Sequence, residues 1–122
     1  MSRGLLTLAG AFGFSAVALG AFGAHGLRDR LAPPMLEIYR TGVLYHLVHA
    51  LAVLAVALAA DRLRRPGLCA GLFCGGITIF SGTLYLLAIT GVGWLGAVTP
   101  VGGLLLLAGW ASLIVEGFRS AR

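Results

Sequence analysis

The chain has no lysine, and its only acidic residues are Asp29, Glu37, Asp61 and Glu116. Charged residues make up 11% of its 122 positions, and no charge falls between Thr41 and Ala60. A soluble domain of this length has more surface than so few charges can cover. A soluble fold is therefore excluded, and an integral membrane protein is the class that remains. Cysteine is also scarce, with only Cys69 and Cys74. Five residues apart on a helix, they point about 140° away from each other. They make no CxxC redox motif and supply no metal-ligand spacing. The nine basic residues are all arginine and give a net charge of +5. They lie between apolar runs and build no basic patch on a soluble surface, so nucleic acid is not an expected partner.

What the chain has in abundance is hydrocarbon. Hydrophobic residues make up 59% of it, and there are 19 glycines, a residue more frequent in membrane helices than in soluble ones. A membrane span needs about 20 apolar residues. Four windows qualify: residues 4–24, 41–60, 67–90 and 98–118. They make a single membrane domain with no soluble domain left over. Arg3 followed by an apolar run and Ala21-Phe22-Gly23 is reminiscent of a secretory signal with a cleavage site. The run is about 20 residues, however, against the usual 7–15 of a signal core, so it reads as a span.

Local punctuation fits these windows. Pro66-Gly67 opens the third span. Thr99 and Pro100 are expected as N-cap and first helical residue of the fourth. Trp94 lies in a tight uncharged connection that suits a membrane interface. Pro33-Pro34 starts a segment, residues 33–40, that reads either as a short interfacial helix or as a plain loop. An even number of spans puts both termini on one side. That side carries Arg3, Arg62, Arg64, Arg65, Arg119 and Arg122, against Arg28, Arg30 and Arg40 on the other. The positive-inside rule then predicts both termini in the cytoplasm.

Each span has a small or polar face. In the second, Leu44, Leu47, Leu51, Leu54 and Leu58 form a leucine stripe suited to lipid, and Gly42, His46, His49 and Val53 form the opposite stripe. Polar groups in a membrane turn toward protein or water, because hydrocarbon offers no hydrogen-bond partner. In the third span, Phe73, Ile77, Phe80, Leu84 and Leu87 make an apolar face. Cys74, Thr78, Ser81 and Tyr85 recur on another. Gly71 and Gly75 form a small-xxx-small motif with Gly82 on a related face, and Gly13 and Gly20 belong to a small-residue stripe of the first span. These five glycines are the expected helix-packing positions. The expected fold is all-α, an integral-membrane antiparallel four-helix bundle.

His25, His46, His49, Ser81 and Tyr85 fall in one leaflet by their distance from the span ends, the second-span histidines about 5–12 Å below that surface. They are the candidate ligand or structural polar cluster. Neutral histidine is a common ligand for zinc, copper and haem iron, and histidine with tyrosine beneath an interface suits a quinone or a lipid headgroup. Yet no carboxylate or cysteine lies at that depth. Interhelical hydrogen bonding needs no cofactor and accounts for the same residues. Glu116, near the end of the fourth span, has Arg119 three residues on as a ready partner. There is no Ser-His-Asp arrangement, phosphate loop, zinc-protease motif or pair of carboxylates.

GAFGAH at residues 20–25, Tyr45 with His49-Ala-Leu51, FSGTLY at residues 80–85 and TPVGG at residues 99–103 resemble the YgdD-like family. Its members are small bacterial inner-membrane proteins classed as a domain of unknown function (DUF 423), with a small transmembrane relative in animals. The resemblance covers all four spans, in order. It implies this fold and an inner-membrane location and brings no activity, ligand or metal. The positions that match are Gly20, Gly23, His25, His49, Ser81, Gly82, Tyr85, Thr99, Pro100 and Gly102. In the family pattern glutamine can stand where this chain has His46. The resulting expectation is a non-enzymatic accessory, assembly or self-associating membrane protein, either a homo-oligomer or a subunit of a larger complex. It needs no cofactor, and its immediate partner is the lipid bilayer. The rival readings are ligand binding through the His/Tyr cluster and transport by an oligomer.

Overall fold

The computed structural model describes residues 1–120. Four long helices follow in chain order: α1 (Arg3–His25), α2 (Pro33–Leu58), α3 (Pro66–Thr90) and α4 (Leu95–Ser120). One 3-10 turn, Ala60–Arg62, lies between α2 and α3, and no strand occurs among the described residues. Each long helix is long and apolar enough to cross a membrane. The 26 residues of α2 rise about 39 Å, against a hydrocarbon core of about 30 Å. Arg122, one of the arginines used to assign the sides, lies outside the described residues.

The helix ends follow from local chemistry. Ser2 caps α1, its hydroxyl accepting the Leu5 N–H at 3.2 Å. The amino group of Met1 pairs with Asp61, and the Ser2 N–H donates to the Ala57 carbonyl at 2.9 Å, so α1 begins beside the end of α2. Gly91 ends α3 in the left-handed conformation at φ 71°, where its N–H closes on the Leu87 carbonyl at 2.8 Å.

Two expectations about helix starts differ from what is found. Residues 33–40 form neither a separate interfacial helix nor a loop; they are the first turns of α2. Pro33 suits the start of a helix, and nothing between Glu37 and Thr41 breaks it, since the lone Gly42 is tolerated. Thr99 and Pro100 do not start α4, which begins at Leu95. The N–H groups of Leu95, Gly96 and Ala97 already close on the carbonyls of Val92, Gly93 and Trp94 at 3.3, 3.1 and 3.0 Å. Pro100 then forgoes only the bond its absent N–H would have made to Gly96.

Contacts concentrate between consecutive helices, α1 on α2, α2 on α3 and α3 on α4. The bundle is therefore a chain of neighbours with α2 and α3 central. One core cluster gathers Val53 and Val56 of α2, Cys69, Phe73 and Ile77 of α3, and Leu106 of α4. A second, toward the other end, holds Leu27, Leu36, Tyr39, Tyr85 and Ala88. The leucine stripe of α2 lies outward: Leu44, Leu47, Leu51 and Leu58 are exposed, and Gly42, His46, His49 and Val53 are buried.

Of the five glycines expected at helix crossings only one is a close approach, and Gly102 and Gly109, on the small face of the fourth span, are closer. A methyl group at Gly13, Gly71 or Gly82 would meet no atom within 4 Å, and at Gly75 only Leu105 at 3.7 Å. Gly20 alone of the five is tight, 3.2 Å from Val43. The strictest positions are Gly102, where a methyl group would strike the backbone of Phe80, and Gly109, where it would reach the Phe73 ring at 2.7 Å. Gly76 meets Leu106, and Gly23 and Gly42 lie under the rings of Tyr39 and Tyr85. A helix period groups small residues on a face but does not say which of them a neighbour crosses.

Candidate functional site

The two histidines of α2 are both 5% exposed, near the middle of their helix. His46 is 13 residues into α2, about 20 Å from its start. Each imidazole must find partners there, since hydrocarbon offers none.

His46 bridges three helices. Its Nδ1 lies 2.9 Å from the Tyr85 hydroxyl of α3 and its Nε2 lies 3.1 Å from the Ser15 hydroxyl of α1. Ser15 donates its own proton to the Phe12 carbonyl at 3.0 Å. Ser15 must then accept from His46, which places the ring proton on Nε2 and leaves Nδ1 to accept from Tyr85. A directed chain of hydrogen bonds results, running from Tyr85 through His46 and Ser15 to Phe12.

His49 is held differently. Its Nδ1 lies 2.8 Å from the Tyr45 carbonyl, one turn back in the same helix. Its Nε2 accepts the indole N–H of Trp110 in α4 at 2.9 Å. A carbonyl only accepts and an indole N–H only donates, so this ring is neutral with its proton on Nδ1. Its one lone pair is committed to Trp110. The rings of Tyr45, Phe73 and Trp110 surround it at centroid distances of 6.0, 5.7 and 5.8 Å.

Ser81 is buried and donates to the Gly42 carbonyl at 2.7 Å, tying α3 to α2. Tyr85 packs its ring on Gly42 and stands 5.0 Å from the ring of Tyr39. Tyr39 in turn donates to the Leu19 carbonyl of α1 at 2.5 Å. Thr83 and Thr99 share a hydrogen bond at 2.7 Å between α3 and α4. His46, His49, Ser81 and Tyr85 thus belong to one belt across the bundle. His25 does not join it. It sits exposed in the last turn of α1 and makes no hydrogen bond among the described residues.

Three members of the belt escaped the sequence pattern: Ser15, Tyr39 and Trp110. Each carries a polar group inside an apolar helix, which is the signal that a hydrogen-bond partner waits opposite. Glu116 also finds a role unlike the expected one. Its carboxylate is 3% exposed and accepts the backbone N–H groups of Arg64 and Arg65, at 2.7 and 3.1 Å, at the start of α3. A carboxylate there satisfies amides that the helix itself cannot. No group of three His, Cys, Asp or Glu side chains among the described residues is placed to hold a metal ion.

A family model described as a protein of unknown function (DUF423) matches residues 19–103. The chain belongs to this family. The DUF423 match takes in His46, His49, Ser81 and Tyr85 and stops short of Ser15 and Trp110. Among its relatives is the UPF0382 membrane protein YwdK of Bacillus subtilis, 46% identical over 107 residues, covering 85% of this chain and 87% of that one. A UPF0382 membrane protein of Haemophilus influenzae is 43% identical and covers 98% of both chains. The UPF0382 inner membrane protein YgdD of Escherichia coli is 40% identical, covering 99% of this chain and 94% of its own. No solved structure matches the chain. Like these relatives, the protein is a membrane protein whose molecular function is unknown.

Proposed function

We propose that the protein is a non-enzymatic accessory or assembly protein of the bacterial cytoplasmic membrane, either self-associating or seated in a larger membrane complex. The observation that supports this is the saturation of its buried polar groups. Among the described residues, every buried side-chain nitrogen and oxygen has a hydrogen-bond partner. A catalytic or ligand-binding histidine keeps a lone pair or proton for its substrate, and His49 keeps neither. The polar belt then serves the bundle's own cohesion, at roughly 0.6–2 kcal/mol per interhelical bond. Purification in mild detergent followed by mass spectrometry should find an oligomer or a co-purifying partner. A strictly monomeric chain without a partner would count against the accessory role. Metal analysis and a visible spectrum test the other half: stoichiometric metal or haem, lost on His49→Ala, would overturn it.

Both termini are placed on the cytoplasmic side, on the strength of the arginine imbalance. A reporter fused to the C-terminus should be active in the cytoplasm, and a periplasmic signal would reverse the assignment.

One observation favours a second reading, in which a lipid or quinone enters the bundle. A cleft of about 230 Å³ opens between α1 and α3, with Ser15, His46, Ser81 and Tyr85 in its walls. A ligand there must displace a bond already made. Native mass spectrometry that retains a small molecule, lost on His46→Ala, would favour this reading over the first.

A further inference from the structure

A different surface carries the inference furthest. At the end of the bundle where α1 gives way to α2, a groove of about 470 Å³ is lined by Arg28, Glu37 and Arg40, with Leu31, Leu36 and Leu44 below. None of the three charged residues forms an ion pair among the described residues, although Glu37 and Arg40 are three residues apart on one helix. The groove does not stop at the charges. Arg40 and Leu44 also line a second hollow of about 270 Å³ between α1 and α2. Leu47 joins that to a third of about 330 Å³, which reaches Leu51 and Leu54. The third hollow includes Gly10 and Gly13 of α1, where no atom stands within 4 Å of a would-be methyl group. The glycines that close no helix contact are thus the floor of a trough.

Leu44 to Leu54 rises about 15 Å along α2, half of a hydrocarbon core of about 30 Å. The trough is one leaflet long, and it is headed by two cations and one anion. We infer that it seats a single phospholipid of the phosphatidylethanolamine class. Arg28 and Arg40 hold the phosphodiester, Glu37 accepts from the primary ammonium, and an acyl chain lies along the trough. Guanidinium matches phosphate oxygens by paired hydrogen bonds. A headgroup bearing both signs satisfies all three side chains, whereas phosphatidylglycerol offers Glu37 only neutral hydroxyls and no cation. This site meets the polar belt only at Tyr39 and holds whether or not the chain self-associates.

The test uses the full chain in detergent, titrated with phosphatidylethanolamine, phosphatidylglycerol or phosphatidylcholine of the same acyl chains. Retained lipid is read by native mass spectrometry and by the shift in thermal unfolding. Phosphatidylethanolamine should bind at least tenfold tighter than phosphatidylcholine, whose quaternary ammonium has no N–H to give Glu37. Glu37→Gln should abolish that preference while leaving phosphate-driven binding. The Arg28→Gln, Arg40→Gln double variant should weaken all three lipids. These side chains are exposed, so the variants keep the fold. Equal retention of the ethanolamine and choline lipids, a preference for phosphatidylglycerol, or indifference to the double arginine change would each overturn the proposal.

Discussion

The two outer helices are attached to the same central pair by different balances of close packing and hydrogen bonding. On α4, Gly102 and Gly109 let the backbone descend onto Phe80 and Phe73, and Gly76 of α3 receives Leu106. On α1, only Gly20 and Gly23 come close to α2, beside the hydrogen bonds of Ser15 with His46 and Leu19 with Tyr39, while α4 adds to its close packing the bonds of Thr99, Trp110 and Glu116. The histidines divide accordingly. His46 spends both nitrogens on neighbouring helices, and His49 spends one on its own backbone and one on Trp110. Interdigitation forbids added volume, while hydrogen bonding forbids lost partners, so α4 should be sensitive to both and α1 chiefly to lost partners.

The largest effect is expected on the α4 side. Gly102→Leu places a branched side chain on the Phe80 backbone and should destabilise the bundle by about 3 kcal/mol or more, read as the midpoint of unfolding in mixed micelles. Gly13→Leu on α1, with open space at that position, should change the midpoint little; equal losses at the two glycines would erase the contrast. Next comes His46→Ala, which orphans the hydroxyl of Tyr85 and should lose about 1–3 kcal/mol. His46→Gln keeps a donor and an acceptor and should recover part of that loss. If alanine and glutamine behave alike, the three-helix bridge is not what holds α1.

Glu116→Ala strips the acceptor from the Arg64 and Arg65 amides at the start of α3 and should lose about 1–2 kcal/mol, in the range of a lost helix cap. The smallest change is Trp110→Phe, which keeps an edge-on ring contact with Phe73 and removes one hydrogen bond. About 0.6–1 kcal/mol is expected. A double-mutant cycle with His49→Ala checks it, since coupling near zero would mean that the indole N–H contributes nothing to the attachment of α4.

Faces were readable from the chain; meeting points were not. The leucine and histidine stripes of α2 follow from period alone, because outward and inward residues alternate every three or four positions. The same logic grouped Ser81 with Tyr85 and placed both against α2. It also grouped them with Cys74 and Thr78, yet Thr78 is exposed and donates back to the Cys74 carbonyl, while Phe73 and Ile77 complete the buried stripe. A rotation of a few tens of degrees separates the two stripes, and only the packing of α4 on Phe73 fixes it. Trp110 was missed for a related reason: its acceptor lies 61 positions away, and no local pattern announces it. The start of α2 was read too late in the chain: the helix begins eight residues before Thr41, at Pro33, with Glu37 and Arg40 inside it.

The near absence of contact between non-consecutive helices bears on biosynthesis. A chain entering the membrane from its N-terminus meets its partners in the order in which they are made. When α2 arrives, α1 is already waiting; α3 docks on α2, and α4 on α3. No helix must idle beside lipid until a distant segment appears. Loops that join consecutive helices are short, so the entropy of closing each step is small. The His46 bridge spans three helices and can close no earlier than the arrival of Tyr85, and the bond from Trp110 to His49 waits for α4. Ser15 and His46 therefore share a provisional bond in the nascent hairpin, made directional when the third helix supplies its hydroxyl.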